Sequence, residues 1–252
     1  MLFDISGKRV LITGSSSGIG YVLAEGLARA GASVVLNGRT QEKVNAAIDS
    51  FRKQGFKAAG SVFDITDAGE VERSISHIES SLGNIDVLVN NAGIQHRAPL
   101  EEFELEAWNR LLNINLTGAF IVSKAVVKGM IQRQSGKIVN ICSLQSELAR
   151  PTIAPYAAAK GGLKMLTRAM ATEWAKHNIQ VNSIGPGYFK TPMTKALYEN
   201  AEFDTWLRKR TPANRWGNPE ELVGTLIYLS SDASSFVNGQ LIFVDGGITA
   251  CI

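Results

Sequence analysis

The sequence predicts an α/β fold, a single doubly wound domain over 1–252 built on a seven-stranded parallel sheet with helices on both faces. Three observations predict it. Short apolar runs alternate with helix-patterned segments along almost the whole of the 252 residues. The helical segments reach ten residues or more, the length of crossover that makes neighbouring strands parallel. The runs are apolar throughout rather than alternating, as strands covered on both faces must be.

Each element has its own signal. Residues 8–13 (KRVLIT) read as a buried strand closed by Gly14, and 19–30 as a helix stopped by Gly31. SVVLN at 33–37 is the second strand, followed by a helix over 42–54 that ends at Gly55. A weaker strand covers 58–64, and a polar helix over 67–82 ends at Gly83. DVLVN at 86–90 is the fourth strand, and a long helical region from about 104 to 132 leads to the fifth, KIVNIC at 137–142. A second long helix runs from Pro155, a residue suited to a first helical turn, to about 176. Residues 180–184 are the sixth strand, 219–230 a helix and 240–244 the seventh strand. The segment 187–218 is poorly patterned and is expected to be a lid over a substrate, since so long a connection in a compact domain is usually a binding loop.

Composition narrows the function classes. No uninterrupted run of about 18 apolar residues predicts a membrane span. The N-terminal MLFDISGKRV carries Asp4 and lacks the basic-then-apolar order of a secretion signal. The net charge of +3 is scattered, which gives nucleic-acid binding no support, and Cys142 and Cys251 do not make a disulfide framework. A cytoplasmic protein is the expectation.

The first strand runs into Thr13-Gly14-Ser15-Ser16-Ser17-Gly18-Ile19-Gly20 and then a helix. A glycine-rich turn there lets backbone N–H groups and the helix dipole meet a pyrophosphate, as in Rossmann-type dinucleotide sites. The spacing is G-x-x-x-G-x-G, and no Gly-Lys-Ser/Thr follows, so it is not a P-loop. A tight turn that merely needs small residues would read the same. At the end of the second strand, Asn37-Gly38-Arg39-Thr40 holds no carboxylate for an adenosine ribose diol. Arg39 suits a 2′-phosphate, which predicts NADP(H) in preference to NAD(H), with NAD(H) still possible. A solvated surface arginine is the other reading.

Tyr156 and Lys160 stand four apart on one helix face. The spacing alone is weak, because five Tyr and 26 Lys+Arg in 252 residues make roughly 0.5 such pairs by chance. Context strengthens it: the strand ending at Ser143 and the helix carrying Tyr156 are consecutive and point to the carboxyl edge of the sheet, where such folds bind ligands. A carbonyl receiving hydride needs a proton donor beside it. Tyrosine, with a pKa near 10, is a good acid and a poor base, and lowering it to about 7 takes roughly 4 kcal/mol, a shift of the sign that the Lys160 ammonium supplies. Ser143 can donate to the substrate oxygen. No serine lies in G-x-S-x-G, which disfavours a hydrolase. His77, His96 and His177 lack metal-ligand spacing, and His77 and His177 read as surface residues.

These residues resemble the short-chain dehydrogenase/reductase family end to end. The matching pieces are TGSSSGIG, Asp64 in FDITD, NNAG at 90–93, Asn115 in NIN, Ser143, YAAAK at 156–160 and PGYFKT at 186–191. The resemblance implies a catalytic set of Asn115, Ser143, Tyr156 and Lys160, with Asn115 holding a relay water and Lys160 also binding the nicotinamide ribose. It implies that Gly14, Ser16, Ser17, Gly18, Ile19 and Gly20 meet the cofactor's phosphates, and Asp64 and Ile65 its adenine. Asn91, Ala92 and Gly93 would line it, and Pro186, Gly187, Phe189 and Thr191 would lie along its nicotinamide end. Asn115 as a helix-bending structural residue is a further reading. Longer segments, among them NNAGIQHRAPLEEF and NICSLQSELARPTIAPYAAAK, resemble the family's sugar-acid dehydrogenases, which implies reversible hydride transfer at the C5 hydroxyl or ketone of gluconate.

The residues around Ser143 agree with a polar substrate. Gln145, Ser146, Glu147 and Arg150 form a wall suited to an open-chain polyol, and Arg150, Arg97 or Lys190 can pair with a carboxylate. A surface Arg150–Glu147 ion pair is equally open. A 3-oxoacyl-thioester reductase, another sugar or polyol dehydrogenase, and a non-catalytic nucleotide-sensing protein remain as alternatives. A homotetramer is implied by the resemblance, with Met130, Leu163, Met165, Leu166 and Met170 on the interface or in the core. No metal is expected.

Overall fold

The computed structural model describes residues 1–251. Its sheet comprises β1 (Arg9–Ile12), β2 (Ser33–Gly38), β3 (Ala58–Val62), β4 (Val87–Asn90), β5 (Gly136–Ile141), β6 (Ile179–Pro186) and β7 (Leu241–Val244). The order is β3-β2-β1-β4-β5-β6-β7, and every neighbouring pair is parallel. The order reverses between β1 and β4, so the crossovers leaving those two strands go to opposite sides and open a crevice at their carboxyl ends.

The helices are α1 (Gly18–Arg29), α2 (Gln41–Lys53), α3 (Ala68–Ser81), α4 (Leu105–Leu112), α5 (Gly118–Arg133), α6 (Ala154–Trp174), α7 (Lys195–Tyr198), α8 (Ala201–Arg210) and α9 (Val223–Ser230). Alternate strand residues feed two cores, as the two-residue period of a strand requires. Val10 and Ile12 of β1 pack with Leu23 and Leu27 of α1, Phe51 of α2 and Leu226 of α9. Leu11, between them, packs with Ile75 of α3, Val126 and Met130 of α5 and Met170 of α6. The two-faced burial explains why the strands read as unbroken apolar runs.

Two segments depart from the expectations. The long helical region is interrupted by a π-turn over Asn113–Thr117 between α4 and α5. The segment 187–218 is not an unpatterned loop: it folds α7 and α8 around a satellite core in which Leu197, Leu207 and Trp216 pack against Leu144 and Ile248. Its apolar residues are spaced for packing over the end of the sheet rather than along one helix face, which hides the helices from a periodicity reading.

The run Leu105–Arg133 is long and apolar enough to cross a membrane by length and composition. Here Val122, Val126 and Met130 of that run are buried on the sheet. Of the residues considered for an interface, Met130, Leu163 and Met170 belong to the core, Leu166 packs on it, and Met165 is exposed, as is Phe120 of α5.

Candidate active site

The glycine turn is built by crowding. Thr13 Oγ1 accepts from the backbone N–H groups of Asn91 and Ala92 at 3.0 and 3.1 Å, locking the ends of β1 and β4 together. Asn91 Nδ2 donates to the carbonyls of Thr13 and Gly14 at 3.0 and 3.1 Å. Gly14 turns there with φ +62, and a Cβ on Gly20 would stand 2.6 Å from the Gly14 oxygen and 2.4 Å from Asn91 Nδ2. Only glycine at both positions lets α1 start this close to the strand ends. Ser17, the N-cap of α1, makes no side-chain capping bond, so the first-turn amides remain for an anion.

Above the turn lies a cleft of about 460 Å³. Every residue expected to hold the cofactor lines it: the glycine turn at one wall, Arg39, Asp64 and Ile65 toward β2 and β3, Asn91, Ala92 and Gly93 along the floor, and Pro186, Gly187, Phe189 and Thr191 at the far end. Ser143, Tyr156 and Lys160 line it as well. Asn115, Gln145 and Arg150 do not. Lys43, Ile94, Ile114 and Met193 also line the cleft and were not expected there. Lys43 had a legible signal, four residues past Arg39 at the start of a helix; the other three become neighbours only through the chain's path.

Asn37, beside Arg39, is buried: its Oδ1 accepts from the Gly14 N–H at 3.1 Å and its Nδ2 donates to the Ser61 and Phe63 carbonyls at 3.2 Å each. It ties the ends of β1, β2 and β3, which leaves exposed Arg39 as the group at this strand end that is free for a ligand. Arg39 makes no ion pair among the described residues. Burial alone would raise the Asp64 carboxyl, but hydrogen bonds from Thr66 N–H and Oγ1 at 2.9 and 2.7 Å, with the charge of Arg39, hold it below its ordinary value.

At the other end, Ser143 caps the short 3-10 turn Leu144–Ser146 that follows β5, its Oγ accepting from Gln145 N–H at 3.2 Å. Lys160 is buried, and its Nζ donates to the Ile141 carbonyl at 2.6 Å and stands 5.8 Å from the Tyr156 ring centroid. Burial pushes the Tyr156 phenol up to about 12, against a partial lowering by the Ser143 hydroxyl, and burial lowers the Lys160 ammonium. The expected depression of Tyr156 by Lys160 is therefore absent from the protein's own groups. The physical reason is that the ammonium is itself desolvated and spent on a backbone carbonyl.

Asn115 is buried on the π-turn; its Oδ1 accepts from Ile94 N–H at 2.8 Å and its Nδ2 donates to the Ile94 carbonyl at 2.9 Å. Both ends of the amide are thus used to hold the irregular segment that follows NNAG, which is the structural reading of this residue.

On the polar wall, Gln145 is buried with its Oε1 unpartnered. Glu147 pairs with Lys164, so the Arg150–Glu147 ion pair does not form. Arg150 instead donates from Nη1 to the Tyr188 hydroxyl at 3.0 Å and lies 5.1 Å from the Phe203 ring centroid, tying the wall to the 187–218 segment. Arg97 falls below its ordinary pKa through burial and the neighbouring charge of Arg150. Two guanidinium groups with no carboxylate between them define a positive spot beside the site. Lys190 is exposed and faces Asp204. No group of three or more acidic, His or Cys side chains able to hold a metal occurs among the described residues.

The comparisons with known proteins agree with this geometry. The short chain dehydrogenase family model matches residues 8–202. The chain is 56% identical over 251 residues to the gluconate 5-dehydrogenase of Gluconobacter oxydans, covering 100% of this chain and 98% of that one. It is 53% identical over 251 residues to the 5-keto-D-gluconate 5-reductase of Escherichia coli K12, covering 100% and 99%. A crystal structure of a gluconate 5-dehydrogenase from Burkholderia cenocepacia in complex with NADP and tartrate superposes with a TM-score of 0.98 at 53% identity, covering 100% of this chain and 98% of that one. The chain belongs to the short-chain dehydrogenase family.

Proposed function

We propose that the protein is an NADP-preferring oxidoreductase that exchanges hydride reversibly with the C5 hydroxyl or ketone of gluconate, the reduction of 5-keto-D-gluconate being one direction. The observation that carries the reading is the single cleft running from Arg39 to the Ser143–Tyr156–Lys160 group, joined to relatives of that activity at 53–56% identity. The cleft fits a nicotinamide dinucleotide: uncapped amides and glycines at its middle suit a pyrophosphate, and the carboxylate-free end of β2 suits a 2′-phosphate. The nicotinamide, when bound, supplies or accepts the hydride.

The chain's own residues move the proton and hold the substrate. Tyr156, neutral over the physiological range, gives its proton to the carbonyl oxygen during reduction. Ser143 donates to the same oxygen as it gains charge. Lys160 orients the site from its anchor on Ile141 and would hold the nicotinamide ribose of a bound cofactor. Asn115 positions the segment around Ile94 through its amide, so its part in a water relay falls to its main-chain carbonyl. Arg97 and Arg150 receive the sugar-acid carboxylate, and Gln145 accepts from a substrate hydroxyl; the tartrate bound by the Burkholderia relative is likewise a hydroxy acid. The 187–218 segment serves as the substrate lid. Exposed Met165 and Phe120 on the long helices support a homotetramer, and the enzyme is assigned to the cytoplasm.

Initial rates at 340 nm with 5-keto-D-gluconate, and in reverse with gluconate, test the reading. Turnover with NADPH at several times the efficiency of NADH supports it. Equal or greater efficiency with NADH refutes the cofactor assignment. Faster turnover of an acetoacetyl thioester than of 5-keto-D-gluconate refutes the substrate.

A further inference from the structure

Lys43 is the one lining residue of the cleft, apart from Arg39 and Lys160, that carries a positive charge. It stands in the first turn of α2, whose opening bond runs from Val44 N–H to the Thr40 carbonyl at 3.1 Å. Side chains on a helix lean toward its N-terminus, so Lys43 reaches back toward the end of β2 where Arg39 stands. Its neighbour Val44 is buried and packs beneath Gly38 and Gly60, which fixes the rotation of the helix and turns Lys43 outward to the cleft. Thr40, the N-cap, makes no side-chain capping bond, so its hydroxyl and the first-turn amides are uncommitted.

Charge arithmetic makes one cation too few. A phosphate monoester carries nearly two negative charges at neutral pH. Arg39 offers one positive charge, and part of its field falls on Asp64. The glycine turn adds Ser15, Ser16 and Ser17, none of them charged. Glu42, also in the first turn of α2, does not line the cleft. Lys43 makes no ion pair among the described residues. We propose that Lys43 is the second cation of a 2′-phosphate site, acting as a point charge beside the Arg39 fork and setting the preference for NADP over NAD. This rests on the NADP reading of the cleft.

The test measures binding, not turnover, by calorimetry with adenosine 2′,5′-bisphosphate against 5′-AMP and by fluorescence with NADPH against NADH. In low salt, Lys43→Met is expected to weaken the two 2′-phosphorylated ligands about five- to tenfold and move the other two less than twofold. Lys43→Arg restores most of the loss. The loss shrinks below about pH 6, where the phosphate takes its second proton. Arg39→Ala is run in parallel. If it abolishes the preference for 2′-phosphorylated ligands while Lys43→Met leaves it intact, the Lys43 assignment is wrong and the NADP reading stands. If neither variant changes the preference, both residues are excluded as its source and the Lys43 assignment is wrong; if the parent shows no preference, the NADP reading itself fails. Equal loss for all four ligands in Lys43→Met overturns the proposal in favour of a structural effect.

Discussion

Replacing Arg150 by alanine tests the substrate assignment most directly. In the resting chain its guanidinium is held by one hydrogen bond to Tyr188 and one ring face, and no carboxylate neutralises it. Arg97 is close enough for the two like charges to disfavour each other. An incoming carboxylate relieves that repulsion and gains charge-assisted hydrogen bonds, worth about 1.5–3 kcal/mol for one such group. At about 1.36 kcal/mol per tenfold, the alanine variant should raise KM for gluconate by roughly 10- to 150-fold. On the proposed mechanism Ser143 and Tyr156 hold the reacting oxygen, so kcat should change less than about threefold. Losing the contact with Phe203 costs about 0.5–1 kcal/mol of folding stability, a drop in Tm of a few degrees. Steady-state kinetics on gluconate and on a neutral sugar alcohol of the same length separate charge recognition from general damage. The alcohol should be unaffected by the substitution, and Arg150→Lys should fall between. An unchanged KM for gluconate, or equal losses on both compounds, refutes the reasoning.

Four other outcomes follow from the geometry. Tyr156→Phe should lower kcat by about 10²- to 10⁴-fold with NADPH affinity within about twofold, and retention of most activity would remove Tyr156 from proton transfer. Because burial raises the Tyr156 phenol to about 12, the tyrosinate absorbance lost in that variant should appear only above about pH 11 in the cofactor-free protein, and the residue's contribution to stability should be lost as pH climbs from about 10 through 12; ionisation below pH 9 contradicts this. Gly20→Ala places a Cβ 2.6 Å from the Gly14 carbonyl, so NADPH should bind at least about tenfold more weakly in fluorescence titration. Asn115→Leu strands the Ile94 N–H and carbonyl, costing about 1–3 kcal/mol and lowering Tm by roughly 3–10 °C in a thermal melt.

Much of this protein can be read along the chain, and the physical reason is locality. A strand buried on both faces is apolar at most positions, a helix repeats near 3.6, and a turn with φ above zero favours glycine, as at Gly14; these are statements about neighbours in sequence. They were enough for the seven strands, the crossovers and the location of the cofactor turn. Tyr156 and Lys160 share a face for the same reason. What depended on packing was not legible. At the π-turn, Asn115 is held by a distant segment, with Ile94 taking both ends of its amide. Two helices were missed in 187–218 because their apolar residues answer to Leu144 and Ile248 rather than to each other. Glu147 stands three residues before Arg150, yet its partner is Lys164, one helix away. The sign of the Tyr156 shift was decided by burial, a property of the surroundings that no spacing encodes. Residue identity and spacing thus determined the fold class and the chemistry available at the cleft, while tertiary structure alone decided which charges meet, because electrostatic partners are chosen by distance in space and by the dielectric around them.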